Sequence, residues 1–164
     1  MTIIYNKKID VKKLIFAIAL PLVVGGISAF LTKDGTSMFK TIEKPPLAPP
    51  SWLFPVAWTI LYILMGIASY IVYSNNEIVK TKERDNFLLV YLVQLVFNFF
   101  WSIIFFNLKQ YVFAFIWLVV LWILILVLII NAKKINKTSF YLLIPYLIWV
   151  SFAGYLNLGI AILN

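Results

Sequence analysis

The sequence predicts an all-α integral membrane protein, a bundle of five transmembrane helices. Three observations support this: 63% of the 164 residues are hydrophobic, only 12% are charged, and five uncharged segments are long enough to cross a bilayer. Soluble domains use about half apolar and about a quarter charged residues. A spanning helix needs about 20 apolar residues to cross about 30 Å at 1.5 Å per residue. We therefore expect residues 1–164 to form a single membrane domain.

The first predicted span covers residues 14–31 and directly follows Lys12 and Lys13. A cleaved signal peptide is the alternative, because a basic pair before an apolar run is typical of one. The run is about 18 residues long, longer than a typical signal-peptide core, and has no convincing A-x-A cleavage site. A retained helix is therefore favoured. It contains small residues that permit close helix approach or leave room for a ligand: Gly25, Gly26, Ser28 and Ala29.

Residues 32–51 join the first two spans and are predicted to form a loop that covers a ligand. Five of the seven prolines fall between Lys44 and Trp58. Each proline fixes φ and lacks a backbone N–H, so residues 45–50 are expected to form a stiff extended element. Pro55 falls near the first turn of the next helix, where proline is tolerated. The pattern indicates a rigid loop over the helix that carries Trp58.

The second and third spans, residues 52–73 and 87–108, each carry a stripe of polar and aromatic side chains. Residues four apart share a helix face, and polar side chains in hydrocarbon turn toward the bundle interior. The interior faces are therefore predicted from Trp58, Tyr62, Met65 and Ser69 in the second span and from Gln94, Asn98, Trp101 and Ser102 in the third.

The fourth span, residues 111–130, has no side chain more polar than Trp117 and Trp122. We therefore expect it to be peripheral and lipid-facing. The fifth span, residues 140–163, carries a third stripe at strict four-residue spacing, so three faces are expected to converge. The members of this stripe are Pro145, Trp149, Ala153 and Asn157.

These residues also have structural interpretations. Interior amides often join membrane helices through hydrogen bonds worth about 0.6–2 kcal/mol. For Gln94 and Asn98, a structural role and a ligand contact are therefore equally favoured. For Asn157, near the outer end of its span, a structural role is favoured. Tryptophans usually lie at the headgroup level, as expected for Trp52 at the start of its span.

Two tryptophans lie deeper than a headgroup-level role requires. Trp149 is nine residues beyond Phe140, about 14 Å into the membrane at 1.5 Å per residue. Trp58 lies about 9 Å deep on a striped face, so a place in a pocket is favoured for it as well.

Basic residues are unevenly divided between the two sides of the membrane. Ten of the 14 lie on the side of the N-terminus. Because basic residues concentrate on the cytoplasmic side, we predict a cytoplasmic N-terminus, with the proline loop and the C-terminus outside. The net charge of +8 is then a topology signal and not a nucleic-acid-binding surface. The ten are Lys7, Lys8, Lys12, Lys13, Lys80, Lys82, Arg84, Lys133, Lys134 and Lys137.

The sequence contains neither cysteine nor histidine. Disulfides and thiolate nucleophiles are therefore excluded, and the usual zinc and haem ligands are missing, so no metal site is expected. All six acidic residues lie outside the predicted spans, which leaves no intramembrane carboxylate for acid–base chemistry or a proton relay. Ion-coupled transport is disfavoured.

Three blocks of the sequence resemble the signature of a known family. They run from Pro49 through Trp58 to Gly66, from Gln94 to Phe106, and from Pro145 to Asn157. The first contains Pro-Pro-Ser-Trp-Leu-Phe-Pro and Trp-Thr-Ile-Leu-Tyr-Ile-Leu-Met-Gly. Together the blocks are similar to the TspO/translocator protein family. These are the tryptophan-rich sensory proteins of bacteria, related to the mitochondrial peripheral benzodiazepine receptor.

This resemblance implies a five-helix bundle, usually a homodimer, in the bacterial plasma membrane. Its pocket would open under the first loop and bind protoporphyrin IX, haem or small aromatic compounds, with no tightly bound cofactor. Trp58 and Trp149 would be the pair tied to light-dependent porphyrin breakdown. Carried over by position, the ligand-binding residues are Pro49, Trp58, Tyr62, Gln94, Asn98, Trp149 and Ala153.

Two features depart from the family pattern. Met38 and Phe39 stand where members often carry Trp-Tyr, and no Lys or Arg follows Tyr155, so the sterol pattern of animal members is absent. The resemblance leaves three functions open. A receptor or sensor is favoured, a porphyrin-degrading enzyme is second, and a tetrapyrrole exporter is third because no inverted repeat is evident.

Overall fold

The computed structural model describes residues 9–74 and 81–164. In chain order its helices are α1 (Val11–Leu31), the short α2 (Lys33–Thr36), α3 (Leu53–Ser74), α4 (Thr81–Ser102), α5 (Tyr111–Ile135) and α6 (Lys137–Leu163). A 3-10 turn, Ser37–Lys40, follows α2, and a π-helical turn, Ile103–Asn107, extends α4. Five of the helices are long and apolar enough to cross a membrane, and the described residues contain no strand. The predicted fold class and number of spans are confirmed.

Most helices extend beyond the apolar segments that predicted them, because a helix can continue past the hydrocarbon into water. α1 begins before residue 14 because the Asp10 side chain caps it, accepting from the Lys13 N–H at 3.2 Å. Asn136 caps α6 by accepting from the backbone N–H groups of Thr138 and Ser139. Lys7, Lys8 and Lys80, which contribute to the predicted orientation, lie outside the described residues.

The prediction that the fourth span is peripheral and lipid-facing holds for one side of α5, where Val112, Ile116 and Ile123 are exposed, but not for the other side. α5 packs against both α4 and α6 and buries a full face, including Leu118, Leu121 and Ile125. Its tryptophans also serve helix contacts: Trp117 Nε1 donates to Phe97 O at 2.8 Å, and Trp122 Nε1 donates to Ser151 Oγ at 2.8 Å. Membrane helices associate mainly by close packing, so a helix without polar side chains in its span can still bury one face against its neighbours.

α1 is the least enclosed of the five long helices. Its buried residues are Pro21 and Ser28, and it packs mainly against α3. Gly66 permits this contact, because a Cβ there would lie 2.5 Å from Ile18 Cα. Gly25 lies directly against the Tyr62 ring. Gly66 and Gly25 therefore allow α1 and α3 to approach closely.

The proline loop docks onto the C-terminal end of α6. Tyr155 donates its hydroxyl hydrogen to Pro46 O at 2.8 Å. The Asn164 side chain accepts from Glu43 N at 3.1 Å and donates to Glu43 O at 3.0 Å. Pro45 packs on Gly159, where an added Cβ would meet the proline ring at 2.6 Å. The loop is thereby held in place over one end of the bundle.

Candidate functional site

Four buried side chains from α3, α4 and α6 form a continuous hydrogen-bonded chain. Tyr62 donates its hydroxyl hydrogen to Asn98 Oδ1 at 2.8 Å. Asn98 Nδ2 donates to the Tyr146 hydroxyl at 3.0 Å, and Tyr146 in turn donates to Gln94 Oε1 at 2.7 Å. Tyr62 is 8% exposed and the other three at most 2%. The stripes of the second and third spans meet here, as predicted.

Tyr146 is the central residue that the sequence analysis did not identify. The predicted stripe on the fifth span began at Pro145, which is exposed. Steps of four residues advance 400°, so a strict four-residue series drifts by 40° at each step and leaves its face. Alternating steps of four and three stay on one face, which places Tyr146, Val150, Ala153 and Asn157 inside. That spacing is the sequence signal that would have identified Tyr146.

Aromatic rings surround this hydrogen-bonded chain. Trp58 stacks on Tyr62 with ring centroids 5.5 Å apart and meets Tyr146 edge-on at 6.1 Å. Trp149 meets Phe54 edge-on at 6.0 Å. Phe54 lies one turn before Trp58 on α3, and Tyr146 lies about one turn before Trp149 on α6. The two tryptophans therefore lie in one aromatic cluster, although they do not pair with each other among the ring contacts of the described residues.

The loop covers this cluster through Phe39. Its side chain is buried and meets Phe54 at 5.2 Å, and the Lys44 ammonium lies 5.2 Å from its ring centroid. A phenylalanine thus supplies a lid contact at the position where the sequence departs from the family's Trp-Tyr. Pro49 is half-buried in the same loop, and Ala153 is buried on α6.

Two polar groups in the cluster have no hydrogen-bond partner among the described residues. They are Gln94 Nε2 and Trp149 Nε1, both buried. A buried donor without a partner costs about 1–3 kcal/mol and often marks a functional site. These two N–H donors are the hydrogen-bonding capacity that the cluster leaves for a ligand.

Asn157 lies on the same face of α6 but serves a structural role, as expected. Its Oδ1 accepts from Trp101 Nε1 at 3.2 Å, and its Nδ2 donates to Tyr111 O at 2.8 Å. Both ends of the amide are therefore occupied in joining α4, α5 and α6.

We refer to the cluster as the aromatic site. Its members are Phe54, Trp58, Tyr62, Gln94, Asn98, Tyr146 and Trp149. The site has flat aromatic faces, two free donors and no charged group. Among the described residues, no group of three or more acidic residues is placed to hold a metal ion.

The fold and the aromatic site define a small multi-pass membrane protein with an aromatic interior between α3, α4 and α6. Comparison with known proteins identifies the family. The TspO/MBR family model matches residues 17–163. The chain therefore belongs to the TspO/MBR family.

Individual relatives agree along most of the sequence. The tryptophan-rich protein TspO of Chlorobaculum tepidum is 36% identical over 97% of this chain and 99% of its own length. The protein of the same name from Archaeoglobus fulgidus is 35% identical over 94% of this chain and 99% of its own length. The translocator protein homolog of Schizosaccharomyces pombe is 36% identical over 77% of each chain.

Proposed function

We propose that this protein is a receptor or sensor that binds porphyrins, such as protoporphyrin IX and haem, and flat aromatic compounds in the aromatic site. The observation that carries the proposal is the pair of unpartnered buried donors, Gln94 Nε2 and Trp149 Nε1, among packed aromatic rings. A conjugated macrocycle presents flat faces for stacking and polar atoms for such donors.

The residues would divide the work of binding between them. Trp58, Tyr62 and Trp149 offer ring faces that lose little rotamer entropy on contact. Gln94 and Trp149 donate to acceptors on the ligand. Asn98 holds the Tyr62 and Tyr146 hydroxyls in place at 2.8 and 3.0 Å.

The periphery of the site would provide room and closure. Ala153, one turn beyond Trp149 on α6, would leave room for a ligand, and the half-buried Pro49 would contribute from the loop. Because Trp58 already packs on Tyr62 and Tyr146, entry of a ligand requires these rings to separate.

Light-dependent porphyrin breakdown is the second candidate function. The observation that favours it is the presence of two readily oxidised indoles, Trp58 and Trp149, in the same aromatic cluster. Such chemistry would draw its reactivity from the excited ligand and would need no acid–base residue.

We further propose that the protein is a homodimer, as the family resemblance implies. We also propose that its N-terminus lies in the cytoplasm, as the distribution of basic residues indicates.

Titration of the purified protein with protoporphyrin IX tests these functions. Saturable binding in darkness, unchanged on illumination, supports a receptor, whereas light-dependent loss of porphyrin with a new product supports the enzyme. No saturable binding would refute both.

Haem should bind about as well as protoporphyrin IX, because the chain has no His or Cys to ligate iron. A preference for haem above about a hundredfold, roughly 2.7 kcal/mol, would contradict this mode of binding.

A further inference from the structure

A cavity lies away from the aromatic site, where α1 and α4 begin and α3 ends. It has a volume of about 460 Å³, and its wall is mainly apolar, with Phe16, Leu20, Leu88 and Leu92 along it. Phe16 is 71% exposed and Leu92 50% exposed. The cavity is therefore bordered by side chains that face the surrounding lipid.

The end of this cavity nearest the start of α1 is basic. Lys12 and Lys13 line it, and Lys12 makes no ion pair with any residue in the described part of the chain. Lys13 Nζ lies 3.4 Å from Asp10 Oδ2 and 5.7 Å from the centroid of the Tyr73 ring. The Asp10 backbone N–H donates to the Tyr70 hydroxyl at 2.9 Å, which ties this end of α1 to α3. Two ammonium groups and one carboxylate leave a net positive charge.

Deeper in the cavity lies the buried hydroxyl of Tyr91, next to Ser69. Tyr91 is 2% exposed and lines the cavity, and its hydroxyl has no hydrogen-bond partner within residues 9–74 and 81–164. Its neighbour in the lining, Ser69, donates its own hydroxyl hydrogen to Gly66 O at 2.9 Å. Tyr91 is six residues beyond Asp85, the last charged residue before the apolar part of α4, and so about 9 Å deeper.

We propose that this cavity binds an anionic glycerophospholipid from the leaflet at the basic ends of the helices. The phosphate lies near Lys12 and Lys13, an ester carbonyl accepts a hydrogen bond from Tyr91, and an acyl chain follows Phe16 and Leu92. A lipid of this class carries an anionic phosphate, an ester carbonyl several ångströms deeper and an apolar acyl chain. The cavity offers a partner for each: the lysines, the Tyr91 hydroxyl and the apolar wall.

Native mass spectrometry with phosphatidylglycerol and phosphatidylcholine of matched acyl chains tests the proposal. Each basic side chain near an anionic lipid surface contributes about 1 kcal/mol. Because Lys13 already pairs with Asp10, only Lys12 is expected to contribute fully. The affinity for phosphatidylglycerol should therefore exceed that for phosphatidylcholine roughly fivefold. Replacing Lys12 and Lys13 together by alanine should abolish this preference.

Three further variants distinguish the parts of the site. Tyr91→Phe should lower the affinity for both lipids severalfold without changing the ratio of the two affinities. Asp10→Asn keeps a helix-capping side chain while freeing Lys13, so it should raise the preference. Lys133→Ala with Lys134→Ala, on the same side of the bundle but outside the cavity, should change nothing.

Several results would overturn the proposal. These are equal binding of the two lipids by the unmodified protein, an unchanged ratio in the Lys12 and Lys13 variant, and an unchanged affinity in Tyr91→Phe. Displacement of phosphatidylglycerol by excess inorganic phosphate would indicate a simple anion site. If protoporphyrin IX still displaced phosphatidylglycerol from a variant whose aromatic site no longer binds porphyrin, the cavity would be a porphyrin site instead.

Discussion

Asn98 joins three helices through one amide. Its oxygen accepts from Tyr62 on α3, and its nitrogen donates to Tyr146 on α6. Gln94, one turn earlier on α4, accepts from Tyr146 but keeps its own nitrogen unpaired. Two amides on one helix face therefore have different roles: Asn98 organises the site, and Gln94 is available to a ligand.

Replacing Asn98 by leucine should destabilise the bundle. The substitution leaves the Tyr62 hydroxyl without its acceptor and removes a donor from Tyr146, at about 1–3 kcal/mol for a group left unpaired. Thermal unfolding in detergent, followed by circular dichroism, should show a lower midpoint. Asn86→Leu, at an exposed position of the same helix, is the control, and an equal effect of both substitutions would contradict the assigned role.

Replacing Trp58 or Trp149 by phenylalanine should weaken porphyrin binding only modestly. Each change keeps an aromatic face but removes the indole N–H and the more readily oxidised ring, so a loss of about 1 kcal/mol, or fivefold in Kd, is expected. If light-driven breakdown occurs, it should fall steeply in both variants. Fluorescence titration and absorbance under illumination measure the two effects.

Trp52 is the suitable control for this pair. It is 64% exposed and directly precedes α3, whereas Trp117 and Trp122 hold helices together through their indole N–H groups. Retention of porphyrin breakdown in the Trp58 and Trp149 variants, with its loss in Trp52→Phe, would place the reactive residues elsewhere.

At the scale of helices, the sequence predicts the features that depend on hydrophobicity. It does not predict the features that depend on which helices pack together. The five spans follow from length and apolarity, and the interior faces of α3 and α4 follow from their polar stripes. The position of α5 does not, because Leu118, Leu121 and Ile125 are equally suited to lipid and to the interior. Tyr146 was missed for a geometric reason, since a strict four-residue series cannot follow one face.

The contact between α1 and α3 brings the two backbones closest at Gly66. Gly66→Ala would place a Cβ 2.5 Å from Ile18 Cα, so α1 must move away, and overpacking of this kind costs about 1–3 kcal/mol. Gly26→Ala has open space around the new Cβ and gains helix propensity. Thermal midpoints should therefore fall for Gly66→Ala and stay or rise for Gly26→Ala; the opposite order would contradict this packing.

The loop is held over the site by the end of α6. Tyr155→Phe removes the hydrogen bond to Pro46 O, worth about 1 kcal/mol, and should make the loop more accessible. A glutamate-specific protease should then cut after the exposed Glu43 about fivefold faster. Tyr141→Phe, at an exposed position near the other end of α6, should leave cleavage unchanged. Equal rates in the two variants would show that this bond does not hold the loop.

At the scale of the whole molecule, the helices place the loop on one side of the membrane and the basic ends of α1, α5 and α6 on the other. The chain contains no cysteine, so single cysteines report orientation without background. Ser37→Cys should react with an impermeant maleimide in intact cells, and Thr138→Cys should react only after permeabilisation. The reverse labelling pattern would overturn the proposed orientation.

The most direct measurement for the central claim is an experimental structure of the protein with protoporphyrin IX bound. We expect the macrocycle between α3, α4 and α6, in contact with Trp58 and Trp149, with hydrogen bonds from Gln94 Nε2 or Trp149 Nε1. The Trp58 ring should be displaced from its stack on Tyr62. Porphyrin in the cavity beside Lys12 and Tyr91, or on the lipid-facing surface, with the aromatic site unchanged, would contradict the account.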